Sequence, residues 1–69
     1  MNDENTKTFG MKFRDLRKST GLSQVDIGNI LEIPRNTIRN WELDKRIPPI
    51  YVQRLLLKEL NRIKNKIKK

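Results

Sequence analysis

Arg35, Asn36, Arg39 and Asn40 carry the densest hydrogen-bonding chemistry in the chain, at positions i, i+1, i+4 and i+5. On a helix that spacing puts all four on one outer surface. Arginine offers a planar fork of donors and asparagine a donor and an acceptor side by side, so the set suits flat polar edges and anions. An ordinary solvated helix face has the same composition, and only the setting separates the two. Catalytic chemistry is thin. Cysteine and histidine are absent, which removes thiolate ligands, the commonest metal ligand and the usual general base at neutral pH. No nucleophile stands paired with a base, and so short a chain leaves little room for an enclosed pocket. Neither an enzyme nor a metal or cofactor site is expected.

The charge balance narrows the partner. Sixteen Lys and Arg against eight Asp and Glu give a formal charge of +8, with a pI near 10.3. Such an excess favours a polyanion, nucleic acid before an anionic membrane surface. The chain has no stretch resembling a membrane span, and Met1 to Thr8 lack the apolar core of a signal peptide. A soluble cytoplasmic protein is expected. Sixty-nine residues make one domain, and a chain this short buries only about 60% of its unfolded surface.

Four helical segments must position these side chains. Met1 to Thr8 read as a mobile arm, with the domain starting after residue 9. The first helix is predicted over Met11 to Ser19, with Phe13, Leu16 and Arg17 at helical spacing and Gly21 suited to a left-handed stop. Ser23 and Asp26 form a capping-box-like start for the second, whose Ile27, Ile30 and Leu31 share a face. Pro34 then introduces a third helix with Ile38 and Trp41 turned inward. After a loop over Leu43 to Pro48, Pro49 starts a long fourth helix. Its Val52, Leu56, Leu60, Ile63 and Ile67, spaced 4, 4, 3 and 4 apart, form one apolar seam that Leu55 and Leu57 widen. Sustained strand alternation is absent.

The second and third helices fit a helix-turn-helix. Their close crossing near residue 28 needs a small side chain, supplied by Gly28, and Ile27, Leu31, Ile33, Ile38 and Trp41 fill the angle between them. The runs Phe13-Arg14-Asp15-Leu16-Arg17, Gly21-Leu22-Ser23-Gln24, Thr37-Ile38-Arg39-Asn40-Trp41-Glu42 and Arg46-Ile47-Pro48 resemble the Cro/C1-type (XRE) repressor family. The resemblance implies an all-α, lambda-repressor-like bundle, here with a long C-terminal helix, that binds operator DNA as a dimer. It implies base contacts from Arg35, Asn36 and Asn40, with Arg39 beside them, and each good bidentate pair discriminates by about 1–3 kcal/mol. It also implies phosphate contacts from Gln24 (with the N–H groups of its helix start), Thr37, Lys45 and Arg46. Arg17 and Glu42 match a buried pair that ties the first helix to the third.

The chain departs from the family pattern at three places. Glu32 occupies a turn position where glycine is usual, at a cost of about 1 kcal/mol. Pro34 stands where a Ser or Thr cap is usual. One long helix replaces the customary two short ones, and at about 30 Å it exceeds what so small a domain is expected to cover. Ile50, Val52, Leu55 and Leu56 are expected to close the core over Trp41. Leu60, Ile63 and Ile67, continuing the seam from Leu56, are expected to meet a second copy, with residues 10–57 as the DNA-binding domain and 58–69 as a basic dimerising extension. From Lys58 to Lys69 six bases and one acid give +5, which favours added phosphate attraction. The segment Pro49 to Leu56 is also similar to its counterpart in anti-CRISPR-associated phage regulators, which implies dimers that repress their own operons.

Three functions fit this reading. The first is a homodimeric repressor of a phage or mobile element, binding a palindromic double-stranded operator. The second is an antitoxin that binds both a toxin partner and its own promoter. The third is a nucleic-acid-binding protein without sequence preference.

Overall fold

Thr8 opens the first helix by accepting a hydrogen bond from the Met11 N–H at 3.1 Å, a cap that satisfies one of the otherwise unpaired first-turn donors. The computed structural model describes residues 7–67. It contains α1 (Phe9–Thr20), α2 (Gln24–Leu31), α3 (Arg35–Glu42) and α4 (Ile50–Ile67), with no strand among the described residues. α1 ends at Gly21, whose φ of 81° is the left-handed conformation expected there. At the start of α2 the Ser23 hydroxyl accepts from the Asp26 N–H at 3.0 Å and the Asp26 carboxylate accepts from the Ser23 N–H at 3.1 Å, completing a capping box.

The first helix starts earlier than the spacing predicts. Phe9 is buried, and its ring lies 5.7 Å from that of Phe13 and 6.1 Å from Trp41, while Phe13 meets Trp41 edge-on at 5.8 Å. Lys7 pairs with Asp15 at 3.0 Å. Residues 7–9 therefore belong to the folded unit rather than to an arm, and the rest of the expected arm, 1–6, lies outside the described residues. Burial of an aromatic side chain favours holding this first turn in the helix.

The seam on α4 is also corrected. Leu56, Leu60 and Ile63 are buried in the chain's own core with Phe9, Phe13, Ile27 and Ile38, and Leu60 is 0% exposed. Of the seam's outer part only Ile67 stays half exposed, so Leu56, Leu60 and Ile63 are not free to meet a second copy. The physical reason is length. Eighteen residues span about 27 Å, within the molecule's 32 Å long axis. α1 packs along α4 and covers it. Residues 58–67 are thus part of the domain, and 68–69 lie outside the described residues.

The opposite side of α4 is the uncovered one. Ile50 and Leu55, expected in the core, are exposed, as are Tyr51 and the preceding Ile47. Val52 and Leu57 pack against the core. Ile30, expected on the inner face of α2, is half exposed. No helix among the described residues is long and apolar enough to cross a membrane.

Candidate nucleic-acid interface

The angle between α2 and α3 is set by a tight turn. Glu32 takes φ 58° and ψ 44°, the left-handed conformation that suits glycine, and its N–H donates to the Gly28 carbonyl. The Ile33 N–H donates to the same carbonyl at 2.9 Å. A Cβ on Gly28 would lie 2.7 Å from the Ile33 carbonyl oxygen and 3.5 Å from Ile38 Cδ1. The crossing therefore admits glycine and little else. Pro34 occupies the cap of α3 with no side-chain hydrogen bond, and its carbonyl accepts from Thr37 at 3.0 Å and Ile38 at 3.3 Å.

With α3 held in this way, its two faces divide cleanly. Ile38 is fully buried and Trp41 packs on the core. Arg35, Asn36 and Arg39 are exposed and Asn40 is half buried. Four-residue spacing makes two adjacent rows of this surface, Arg35 with Arg39 and Asn36 with Asn40. Neither row is blocked by apolar bulk, so donors and acceptors face outward together.

An open cleft borders each row. Beside the amide row, Thr37, Asn40, Trp41, Arg46 and Ile47 line one cleft. Its far wall is placed by the loop after α3, where the Lys45 N–H at 2.9 Å and the Arg46 N–H at 3.3 Å both donate to the Asn40 carbonyl. Asp44 makes this fold-back possible with a positive φ of 60°. Lys45 and Arg46 themselves are exposed. Beside the guanidinium row, Arg14, Arg17, Lys18, Gln24, Arg39, Glu42 and Leu43 line a second cleft between α1 and α3.

Arg17 and Glu42 form the floor of that second cleft. Arg17 Nε and Nη2 donate to the two Glu42 carboxylate oxygens at 2.7 and 3.1 Å, and Arg17 Nη1 donates to the Leu22 carbonyl at 2.9 Å. The side chains are only 11% and 4% exposed. A bidentate pair of this kind is shorter and more directional than a neutral hydrogen bond. Gln24 Nε2 donates to the same carboxylate at 3.1 Å. The Gln24 amide, assigned by resemblance to a phosphate, is thus already bonded inside the protein and keeps one further amide hydrogen.

The candidate residues fall into three groups. Arg35, Asn36, Arg39, Lys45 and Arg46 are exposed and Asn40 is half buried, and Asn40, Arg46 and Thr37 line one cleft. Arg17, Glu42 and Gln24 sit behind it as a bonded network. The seam residues lie elsewhere, in the core. Sequence reasoning missed Gly10, which is buried where α1 crosses the end of α3. A Cβ there would collide with the Trp41 carbonyl oxygen and lie 2.7 Å from Asp44 Oδ1. The local signal was a glycine one residue from Phe9 and three from Phe13, a gap in the first helix's apolar face.

Comparison with known proteins agrees with this geometry. A family model described as Helix-turn-helix matches residues 13–63, which takes in α2, the turn, α3 and most of α4. No match was found among curated proteins or solved structures.

Proposed function

The chain belongs to the XRE (Cro/C1-type) helix-turn-helix family of DNA-binding transcription regulators, and from that premise we propose that it is a sequence-specific repressor acting on an inverted repeat as a homodimer. The observation that carries this reading is the outer face of α3. Arg35, Asn36, Arg39 and Asn40 are presented together on a helix whose inner face is locked by Ile38 and the Arg17–Glu42 pair. A rigidly held helix with such a face can enter the roughly 12 Å major groove, where arginine reads guanine and asparagine adenine. Lys45, Arg46 and Thr37 border it as backbone contacts, which fix register without reading sequence. In this reading the operon it controls is its own, in a phage or another mobile element.

Two copies are needed because eight residues of α3 read only a few base pairs. Half-sites of a two-fold dimer lie about 34 Å apart along one DNA face, close to the 32 Å long axis of one copy. Pairing falls to the exposed apolar side of α4, where Tyr51 and Leu55 sit four residues apart next to Ile50. The same exposed side supports the second reading, an antitoxin whose α4 is covered by a toxin. A chain that sediments as a monomer both alone and on a half-site would favour it.

Selection of bound sequences from random duplex DNA tests the proposal. A two-fold symmetric consensus is expected, with the protein sedimenting on it as a dimer. Recovery of unselected sequence would overturn sequence-specific binding in favour of charge-driven association.

A further inference from the structure

The cleft between α1 and α3 holds more positive charge than the fold uses. Arg14 and Lys18 lie four residues apart on α1, so they share a face, and they line this cleft opposite Arg39. All three are exposed. Like charges at this spacing destabilise an isolated helix, and nearby acids do not offset it. Asp15 pairs with Lys7, and both oxygens of Glu42 are taken by Arg17 and Gln24. Lys18 gains something from its place in the last turn of α1, where cations oppose the helix dipole. Arg14, in the middle of α1, has no such return.

We propose that Arg14 and Lys18, with the remaining amide hydrogen of Gln24, bind a backbone phosphate of the DNA strand that borders the guanidinium row of α3. The inference rests on the DNA-binding reading above and adds a contact site to it. The Arg17–Glu42 pair supports the site without contributing charge, because it holds Gln24 at the cleft floor and cancels itself. A phosphodiester placed between the α1 cations and α2's first residue would supply one negative charge to a cleft that holds the exposed cations Arg14, Lys18 and Arg39. Arg46 lines the cleft on the other flank of α3, so the groove would be gripped on both edges. The cleft makes no base contact, so its contribution is uniform across sequences.

The test compares the wild-type chain with the R14Q/K18Q and R14K/K18R double variants on one selected duplex and one scrambled duplex. Binding is titrated at several salt concentrations and repeated on duplexes carrying single ethylated phosphates. For R14Q/K18Q the expected result is a salt slope shallower by about 1–2 and affinity on the order of tenfold weaker on both duplexes at moderate salt. Sequence preference and melting temperature stay as in wild type, because both side chains are exposed. One ethylation-sensitive phosphate per half-site should disappear from the interference pattern. R14K/K18R, which keeps the charge, retains the wild-type slope and pattern. If wild type binds and R14Q/K18Q shows the same slope and the same sensitive phosphates, this site is overturned while the DNA-binding reading stands. If wild type binds neither duplex, the DNA-binding reading fails and the site falls with it.

Discussion

The inner and outer faces of α3 use similar side chains for opposite ends. Glu42 and its partner Arg17 are charged and nearly buried, each satisfied by the other and by neighbouring groups. Arg35, Asn36 and Arg39 are equally polar, exposed and outside the hydrogen-bond network. A buried charge holds its place only while its partner remains, whereas an exposed one is solvated by water at little cost. Substitutions on the inner face should therefore be read out in stability, and those on the outer face in DNA affinity.

Glu42→Ala should break the comparison most severely. It strands the Arg17 guanidinium in a site 11% exposed and releases Gln24 as well. Loss of one partner of a buried pair costs about 3–5 kcal/mol, a large part of the stability of a small domain. Denaturant titration should show a strongly lowered midpoint, with the unfolded form populated in water. A change under 1 kcal/mol would mean that water reaches Arg17 and that the pair is surface-like.

Gly28→Ala comes next, because it tests the seating of the inner face without touching charge. The added methyl meets the Ile33 carbonyl oxygen at 2.7 Å, so the turn or α3 must shift. Overpacking of this kind costs about 1–3 kcal/mol. DNA affinity should fall alongside thermal stability, since α3 moves relative to the flanking loop. Stability lost with affinity fully retained would show that the angle of α3 is set elsewhere.

These residues also show what could be read before the structure was known. Local chemistry was legible: the Ser23–Asp26 box and the stop at Gly21 each depend on neighbours within a few positions, while the small residue at 28 and the strained turn at Glu32 were legible through the helix-turn-helix pattern. The polar surface of α3 was legible for the same reason. What covers a face was not. The 4, 4, 3, 4 spacing on α4 establishes that Leu56, Leu60 and Ile63 share a side, but equally suits a second copy and the chain's own α1. The answer lies in Phe9 and Phe13, about fifty residues earlier in sequence. Phe9 was obscured by the polar run before it. The Gln24–Glu42 bond spans eighteen positions, and no local pattern reports it. Likewise the second basic cleft exists only once α1 lies against α3.

Asn40→Ala addresses the outer face alone. Its side chain borders the cleft of Arg46 and Ile47 without a hydrogen bond to the core. Melting should move by no more than about 0.5 kcal/mol. Affinity for the selected duplex should fall by about 1–3 kcal/mol, with preference relaxed at one base pair per half-site. Lys45→Ala sharpens the contrast, weakening all duplexes alike and lowering the salt slope by about 1. Identical effects of the two variants across sequences would place Asn40 on the backbone rather than on a base.

Glu32→Gly has the smallest expected effect and acts where the two faces are joined. Glu32 is exposed, and its φ of 58° is a conformation that costs a side-chain-bearing residue about 1–2 kcal/mol. Glycine removes that strain but adds freedom to the unfolded chain, which offsets about 0.5–1 kcal/mol. The net expectation is a gain of up to about 1 kcal/mol, read as a melting temperature raised by a few degrees. Because the backbone already has the conformation that glycine prefers, α3 keeps its angle and the selected consensus stays the same. An altered consensus would show that the glutamate side chain itself holds the turn, and that the outer face depends on more than the buried contacts behind it.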